Sequence, residues 1–288
     1  MTDLAVIILI CNERLHIRRC LERLAPLEPR EIFMIDSGST DDSPELAKRT
    51  AEDLSLNARC VSHPWPGTHA KQLTWALNEL PLASKWILRL DADEYLTDET
   101  IVRLRNALAD NSLTGIDGCT LELRRRFMGG EIRHATSGIR LVRLFRRGKG
   151  GFEDRAMDEH IRVVGKIIDF DGAFFDDNLN TFAWWQAKHR GYAKREAQDA
   201  LSLFSDRNRL VNPSANDRRK IAYYRLPRYA RAILYFGVRY VLKGGFLDGV
   251  AGWRWNFWQG LWYRWLVDRE IGKLQMSRRA ECRTPVMA

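Results

Sequence analysis

Residues 1–110 repeat one pattern, in which an apolar run is followed by a polar loop and then by a helical stretch. Leu4–Ile10 is a continuous apolar run of the buried-strand type, and Ile17, Leu21 and Leu24 share one face of the helical stretch after it. Parallel strands need a crossover between them, and a helix commonly supplies it. The repeat therefore predicts an α/β fold with a mostly parallel sheet and helices on both faces.

Three further apolar runs continue the pattern and predict strands at Glu31–Asp36, Ala58–Ser62 and Trp86–Leu90. Helices are expected from Ser43 to about Leu54, around His69–Leu80, and after the candidate N-cap Thr97. These residues thus predict a sheet of at least four strands.

Three of these runs end in polar, mostly acidic residues, which are Asn12-Glu13, Asp36–Asp42 and Asp91–Glu94. Ligands on open α/β sheets bind at the C-terminal ends of the strands, where these side chains are expected to meet. Two aspartates one residue apart suit Mg or Mn bridged to phosphates, because hard cations prefer carboxylate oxygen. An Asp-x-Asp alone is a weak signal, expected about once by chance in a chain this long. Its position directly after a strand is what indicates a metal and phosphate site.

The rest of the chain changes character. Cys119–Phe127 and Ile139–Arg146 are alternating, Arg-rich runs typical of antiparallel strands, and Thr181–Arg209 is a long polar helix. Beyond Pro213 the composition becomes aromatic and basic. We therefore expect a catalytic domain at 1–212 and a helical, aromatic-rich region at 213–288.

Charge and cysteine content suggest the kind of partner and the compartment. Lys plus Arg number 46 against 37 Asp plus Glu, which gives a net charge of +9. This balance suggests nucleotide phosphates or an anionic membrane surface, although a well-charged soluble surface explains it too. The five cysteines are scattered and indicate neither a zinc site nor a disulfide framework, which fits a reducing compartment. No apolar run reaches the roughly 18 residues that a membrane span needs. The N-terminus does not resemble a signal peptide. We expect a cytoplasmic protein, peripheral to the inner face of the cytoplasmic membrane.

The C-terminal region contains five of the ten tryptophans in one short segment: Trp253, Trp255, Trp258, Trp262 and Trp265. Tryptophan mixed with arginine is the composition of a helix lying on an anionic membrane. The alternatives are that these rings cover the core or form an oligomer contact. Nucleic acid is not expected as a partner, because the carboxylate-rich strand ends would repel a polyanion.

The motifs carry a family resemblance. Val6–Glu13, Asp36–Asp41 and Leu90–Glu94 resemble the corresponding segments of family 2 glycosyltransferases, in particular bacterial lipopolysaccharide-core glucosyltransferases and related enzymes of surface-polysaccharide assembly. The likeness is strongest over residues 1–100 and recurs at Met157–Ile161. It extends weakly into 244–249, and Cys11 stands where the family usually has an aromatic residue.

The resemblance implies a GT-A fold and a sugar transfer with inversion. The implied donor is UDP-linked, and the implied cofactor is Mg or Mn. It implies that Glu13 and Asp36 hold the nucleoside, that Asp91 contacts the ribose or donor sugar, and that Asp93 ligates the metal. Other residues implied to bind the nucleotide sugar are Asn12, Ser37, Asp41 and Lys71. Lys71, with Gln72 beside it, matches a segment close to the donor.

The resemblance also suggests where the base lies. The family places a catalytic acid near Met157–His160, so Glu159 is the first candidate for general base and Asp158 the second, with His160 orienting either. Arg140 and Arg143 are candidates for contact with the diphosphate, and the alternative is that they lie on a solvated strand face. Each motif also has a structural interpretation: a helix start, an Asx turn, or a solvated charged turn.

We therefore predict a metal-dependent glycosyltransferase that acts on a glycan or lipid-linked acceptor in surface-polysaccharide assembly. A second hypothesis is transfer to a polyprenyl phosphate, whose anionic acceptor needs no base. A third is a membrane-associated binding protein without turnover. A sugar-phosphate nucleotidyltransferase is disfavoured, because Asn12-Glu13 stands where a Gly-rich basic loop is expected.

Overall fold

The structure is a computed structural model that describes residues 1–136, 138–152, 161–206, 210–211 and 213–281. The chain forms two compact units. The first comprises Met1–Arg126 and Thr136–Leu179, and the second comprises Phe127–Ala135 and Asn180–Ala288. The boundary suggested at residue 212 thus lies inside the second unit.

The strands are short to medium in length and follow the predicted positions in the first hundred residues. They are β1 (Thr2–Ile10), β2 (Pro29–Asp36), β3 (Ala58–Ser62), β4 (Trp86–Asp91), β5 (Glu94–Leu96), β6 (Gly118–Phe127), β7 (Gly130–Ile132), β8 (Arg140–Arg146), β9 (Gly150–Phe152), β10 (Ile161–Val163) and β11 (Ile167–Asp177). The α-helices are α1 (Ile17–Leu24), α2 (Ser43–Asp53), α3 (His69–Glu79), α4 (Asp98–Ala109), α5 (Phe182–Ser205), α6 (Ala215–Arg225), α7 (Ala230–Gly237), α8 (Gly249–Trp255) and α9 (Tyr263–Glu281).

The main sheet has the strand order β3-β2-β1-β4-β8-β6-β11-β5. The first four of these strands pair in parallel, as the strand–loop–helix repeat predicted. Beyond β4 the sheet is mixed, since β8 runs antiparallel to both β4 and β6, whereas β11 is parallel to β6. The antiparallel pairing of the two Arg-rich runs is therefore confirmed.

Alternation along β1 distributes its side chains to two apolar layers. Even-numbered residues from Leu4 to Ile10 pack against α1, α2 and α4, and Ala5, Ile7 and Leu9 pack on the α3 side. A strand buried on both faces has to be apolar throughout, which explains the continuous run. The predicted α/β architecture with helices on both faces is confirmed.

The second unit is helical and aromatic-rich, as expected. Its α5 packs along α9 through Ala193, Ala197 and Ala200, whose small side chains contact Leu266, Val267 and Ile271. A second cluster joins Phe127, Trp255 and Ile132. None of the described helices combines the length and the apolar character that a bilayer crossing needs.

The five C-terminal tryptophans do not act as one set. Trp255 is buried, and Trp258 and Trp262 are half-buried against other rings. Trp253 and Trp265 are 46% and 45% exposed. Trp255, Trp258 and Trp262 therefore fit the interpretation that these rings cover the core. Of the five, Trp253 and Trp265 are exposed enough to contact a membrane surface.

Candidate active site

The ends of three neighbouring strands bring the predicted site residues to one edge of the sheet. In the register of the parallel strands, Ile10 of β1 pairs with Asp36 of β2, and Leu9 pairs with Asp91 of β4. Neighbouring strands are about 4.8 Å apart, so the Asp36 and Asp91 backbones lie roughly 10 Å apart on either side of β1. Asn12 and Glu13 follow β1 between them.

Asn12 ties the loop after β1 to the loop after β2. Its side-chain Oδ1 accepts hydrogen bonds from the backbone N–H of Thr40 at 2.7 Å and of Asp41 at 3.3 Å. Its own backbone N–H donates to Ser39 Oγ at 2.9 Å. Asn12 has a φ of 58°, a left-handed conformation that asparagine tolerates better than most residues. Asn12 therefore shapes the loops that form this edge.

Asp36 is buried and folds the loop that follows it. Its carboxylate accepts hydrogen bonds from the backbone N–H of Gly38 at 3.3 Å and of Ser39 at 3.1 Å, and from the Ser39 hydroxyl at 2.6 Å. Gly38 has a φ of 93°, which a side chain would strain. The Asx-turn interpretation of this segment is confirmed.

Ser37 connects this loop to α3. Its hydroxyl accepts a hydrogen bond from Nε2 of the fully buried Gln72 at 3.1 Å. Gln72 Oε1 is 2.7 Å from His63 Nδ1. Lys71, the neighbour of Gln72, is exposed near the N-terminus of α3, which Thr68 caps. Gln72 therefore joins α3 to the loops that contain Ser37 and His63, whereas the Lys71 side chain is exposed to solvent.

Asp41 closes the start of α2. Its Oδ1 accepts from both the backbone N–H and the hydroxyl of Ser43, and Ser43 Oγ in turn accepts from the backbone N–H of Glu13 at 2.7 Å. Ser43 is therefore a bridge between loops, and the residue before the helix is Asp42.

Glu13 is oriented by His16, which is not among the predicted site residues. The His16 side chain is fully buried, and its Nε2 accepts a hydrogen bond from the backbone N–H of Leu179 at 2.8 Å. Nδ1 therefore carries the proton and donates it to Glu13 Oε2 at 2.5 Å. Glu13 and His16 are three residues apart in the turn that precedes α1, and this spacing was the feature of the sequence that could have predicted their contact.

Asp91 lies beside two basic side chains, the half-buried Arg89 and the buried Arg143. Arg89 Nη2 donates to Asp91 Oδ1 at 2.7 Å. Burial alone would raise the pKa of Asp91, but the charges of Arg89 and Arg143 outweigh it and hold that pKa below its usual range. Asp91 is thus kept as a half-buried carboxylate anion at the end of β4.

Glu94, in contrast, is structural. It is 5% exposed, its Oε1 accepts from Arg143 Nη2, and its Oε2 accepts from the backbone N–H of Asp91 at 3.0 Å. Burial raises the pKa of Glu94 above its usual range although Arg143 opposes the shift. Arg143 is 6% exposed, so its guanidinium holds Glu94 in the interior and is not on a solvated strand face.

Asp93 is placed by the end of β11. Its Oδ2 accepts from Asn178 Nδ2 at 3.0 Å, and its backbone carbonyl accepts from the N–H of Asp177 at 3.1 Å. Burial, followed by the charges of Asp176 and Asp91, raises the pKa of Asp93 to about 6. Asn178 and the Asp176-Asp177 pair were not predicted, because nothing in their local sequence marks them as part of this edge.

The donor atoms fit an ion shared with a substrate. Within the described residues, no group of three or more His, Cys, Asp and Glu side chains is arranged to hold a metal. Mg²⁺ is usually bound by one or two carboxylates together with substrate phosphates and waters, not by a complete protein cage. Asp93, a carboxylate with hard oxygen donors just beyond the end of β4, matches that mode.

Three predicted residues lie outside the described part of the chain. Asp158 and Glu159, the candidates for general base, fall within 153–160, and so does His160.

Arg140, the other arginine predicted to contact the diphosphate, donates to Thr120 Oγ1 at 3.1 Å and lies 3.3 Å from Asp169 Oδ1, in the first unit.

The family follows from a sequence comparison. Residues 5–151, just over half of the chain, match the family model described as glycosyl transferase family 2. The chain belongs to glycosyl transferase family 2. No curated protein matches the chain.

Solved structures show weaker likenesses to this family 2 chain. The crystal structure of S. aureus TarS has a TM-score of 0.47 at 14% identity, and the match covers 89% of this chain and 55% of that one. S. aureus TarS 1-349 in complex with UDP-GlcNAc gives 0.46 at 13%, covering 95% and 92%. Glucosyl-3-phosphoglycerate synthase from Mycobacterium tuberculosis, in complex with Mn2+, UDP and glucosyl-3-phosphoglycerate, gives 0.32 at 24%, covering 43% and 44%.

The family 2 chain spans 55% of the length of the TarS chain. The assignment rests on the sequence match, which confirms the predicted family and the interpretation of the chain as a glycosyltransferase. The matched region contains the ends of β1, β2 and β4, with Asn12, Asp36 and Asp91, but not the end of β11.

Proposed function

We propose that the chain transfers a sugar, with inversion, from a UDP-linked donor to a glycan or lipid-linked acceptor in bacterial surface-polysaccharide assembly. The observation that carries the proposal is the position of Asp91 and Asp93 at the end of β4, beside the loops that follow β1 and β2. Family 2 membership supports sugar transfer as the chemistry.

In this proposal the loop built by Asn12, Asp36, Ser37 and Asp41 binds the nucleoside together with Glu13. Its backbone is fixed by side-chain hydrogen bonds before any donor arrives, so little ordering is required on binding. Lys71 is exposed and can approach the diphosphate as a point charge.

Mg or Mn is the proposed cofactor, with Asp93 as its protein ligand and Asp91 in contact with the ribose or donor sugar. When bound, the ion stabilises the negative charge that develops on the diphosphate leaving group. Asn178 positions Asp93 by donating to Oδ2, and Oδ1 makes no hydrogen bond within the described residues. The chain's own contribution is thus an oriented carboxylate at the strand end.

The metal assignment is tested with Asp93→Asn. We expect loss of the Mn-dependent stabilisation by UDP in a thermal unfolding assay, and a fall in turnover of about 100-fold or more, since an ion of this kind is worth several kcal/mol. Asp171→Asn is the matched control, because the Asp171 side chain is 87% exposed and forms an ion pair with surface Arg103.

Unchanged turnover and unchanged Mn dependence in Asp93→Asn would remove the metal assignment. Binding of UDP without any turnover of nucleotide sugars by the wild-type chain would instead favour the non-catalytic binding protein.

The acceptor is tested at the candidate bases. A hydroxyl acceptor needs a base, so Glu159→Gln or Asp158→Asn should lower turnover by about 10²–10⁴-fold. A polyprenyl phosphate acceptor is already an anion, and both variants would then keep nearly full activity. Steady-state assays with both acceptor classes separate the two reactions.

An anionic membrane surface is the proposed partner of the second unit. Exposed apolar side chains crowd into residues 233–253, with exposures from 46% to 78%: Ile233, Leu234, Val241, Leu242, Phe246, Leu247, Val250 and Trp253. Lys243 is exposed among them. We call these eight side chains the apolar patch. Exposed apolar side chains with a neighbouring basic residue suit the boundary between lipid headgroups and acyl chains.

A further inference from the structure

A concave basic site lies at the opposite edge of the sheet from the carboxylates. A cavity of about 370 Å³ is lined by five basic side chains, one acidic side chain and Ala83. The basic residues are Arg30, Lys85, Arg146, Arg147 and Lys149, and the acidic one is Asp3. We call this the basic cavity.

The topology explains how residues from distant parts of the chain meet there. Asp3 and Arg30 lie near the N-terminal ends of the parallel strands β1 and β2, and Lys85 immediately precedes β4. The antiparallel β8 ends beside them, since Arg146 pairs with Trp86. The nine residues of β1 at about 3.3 Å each separate this edge from Asn12 by roughly 25–30 Å. The basic cavity is therefore distinct from the proposed donor site.

Two of the arginines are held in place before any ligand binds. Arg147 Nε donates to the carbonyl of Ser84 at 3.0 Å. Arg146 donates to the carbonyls of Ile116 and Leu113, and its guanidinium lies 4.8 Å from the Trp86 ring centroid. Side chains ordered in this way lose little conformational entropy on binding.

The charges of the cavity are not balanced by the protein. Arg30 lies 3.8 Å from Asp3, a loose contact between half-exposed groups. The ammonium groups of Lys85 and Lys149 make no ion pair anywhere in the described ranges. Like charges around one concavity repel one another, and a multivalent anion relieves that repulsion.

We propose that the basic cavity binds a phosphate group, either of a soluble phosphate ester or of an anionic lipid headgroup. Phosphate matches the fork of donors on Arg147 and the point charges of the two lysines. The proposal does not depend on sugar transfer, because none of the cavity residues belongs to the proposed donor site.

The test uses the full chain and the variant Lys85→Gln/Lys149→Gln, which removes two ammonium groups without breaking an internal contact. The matched control is Lys48→Gln/Lys194→Gln, two exposed lysines elsewhere. Inorganic phosphate is titrated by calorimetry at constant ionic strength, and flotation with phosphatidylglycerol or phosphatidylcholine vesicles is measured in parallel.

We expect wild type and control to bind phosphate and the cavity variant to bind it about tenfold or more weakly, since charge-assisted contacts are lost. A soluble ligand is indicated if inorganic phosphate alone shows this loss. A lipid headgroup is indicated if only phosphatidylglycerol vesicles do. The proposal is overturned if the cavity variant matches the control in both assays, or if the wild type binds neither probe.

Discussion

The carboxylates of Asp91-Ala92-Asp93-Glu94 have the same chemistry in the sequence and three different roles in the structure. Asp91 is kept ionised beside Arg89, and Asp93 is oriented by Asn178. Glu94 is buried against Arg143. Glu94 also accepts a hydrogen bond from the backbone N–H of Asp91. The motif therefore contains two residues proposed to bind the donor and the metal, Asp91 and Asp93, and one residue that holds their backbone in place, Glu94.

We expect Arg143→Met to destabilise the fold by about 3 kcal/mol, because it leaves a buried carboxylate without its partner. Glu94→Gln/Arg143→Met should be more stable than the single variant, since no uncompensated charge remains. Urea unfolding at pH 8 measures both.

The matched control for this pair is Arg124→Met, which removes a more exposed arginine 3.5 Å from Glu122. Its cost should stay below about 1 kcal/mol. An Arg143→Met cost no larger than that of Arg124→Met would show that the buried pair does not stabilise the fold.

At the scale of elements, the amphipathic pattern of α5 is weak in the sequence, because the face that packs against α9 consists mostly of alanine. Ala193, Ala197 and Ala200 form most of its buried stripe, which Leu203 completes. The same helix carries His189, whose ring stacks on Trp185 with a centroid distance of 3.6 Å. His189 Nδ1 donates to the Trp185 carbonyl at 2.9 Å, so Nδ1 is the nitrogen that carries the proton when the ring is neutral.

His189 should make stability dependent on pH. Burial lowers its pKa to about 4, so the folded chain keeps this ring neutral where the unfolded chain, with a pKa near 6.5, takes up a proton. Stability should therefore decrease as the pH falls from about 6.5 towards 4, because protons bind preferentially to the unfolded state.

The measurement compares unfolding midpoints in urea at pH 7 and pH 5 by tryptophan fluorescence. His189→Gln should lose less stability over this interval than wild type, whereas the neighbouring exposed Arg190→Gln should behave as wild type does. Equal losses in His189→Gln and wild type would contradict the assignment.

At the scale of the whole molecule, different functions are proposed for different surfaces. Within the first unit, the C-terminal ends of the parallel strands carry carboxylates and their N-terminal ends carry the basic cavity. Within the second unit, the apolar patch is exposed although Trp255, two residues beyond it in the sequence, is buried. The net charge of +9 is thus partly concentrated in one cavity and is not simply spread over the surface.

The apolar patch predicts weaker membrane binding in Leu242→Glu. Leu242 is 78% exposed, and placing a charge there should lower binding to anionic vesicles about tenfold or more, since a buried leucine side chain is worth about 1.5–3 kcal/mol. Vesicle sedimentation at low salt measures this. The control Val102→Glu changes a residue of α4 that is 59% exposed and should bind as wild type does. Equal binding of both variants would exclude the patch as the docking surface.

The sequence by itself determined the parallel half of the sheet and the edge where its acids meet. Apolar runs that alternate with helical stretches can be buried only as parallel strands with crossovers, and this brings Asn12, Asp36 and Asp91 to neighbouring strand ends. The roles of these residues in binding remain predictions.

Only the tertiary structure decided how each acid is held. Arg143 lies 49 residues from Glu94 in the sequence, and Asn178 lies 85 residues from Asp93. The basic cavity likewise draws on β1, β2 and β8 together with the residue before β4. Local patterns record which residues are buried, but they do not record which distant side chain satisfies a buried charge. That choice depends on strand order and register, which are set when the whole sheet packs.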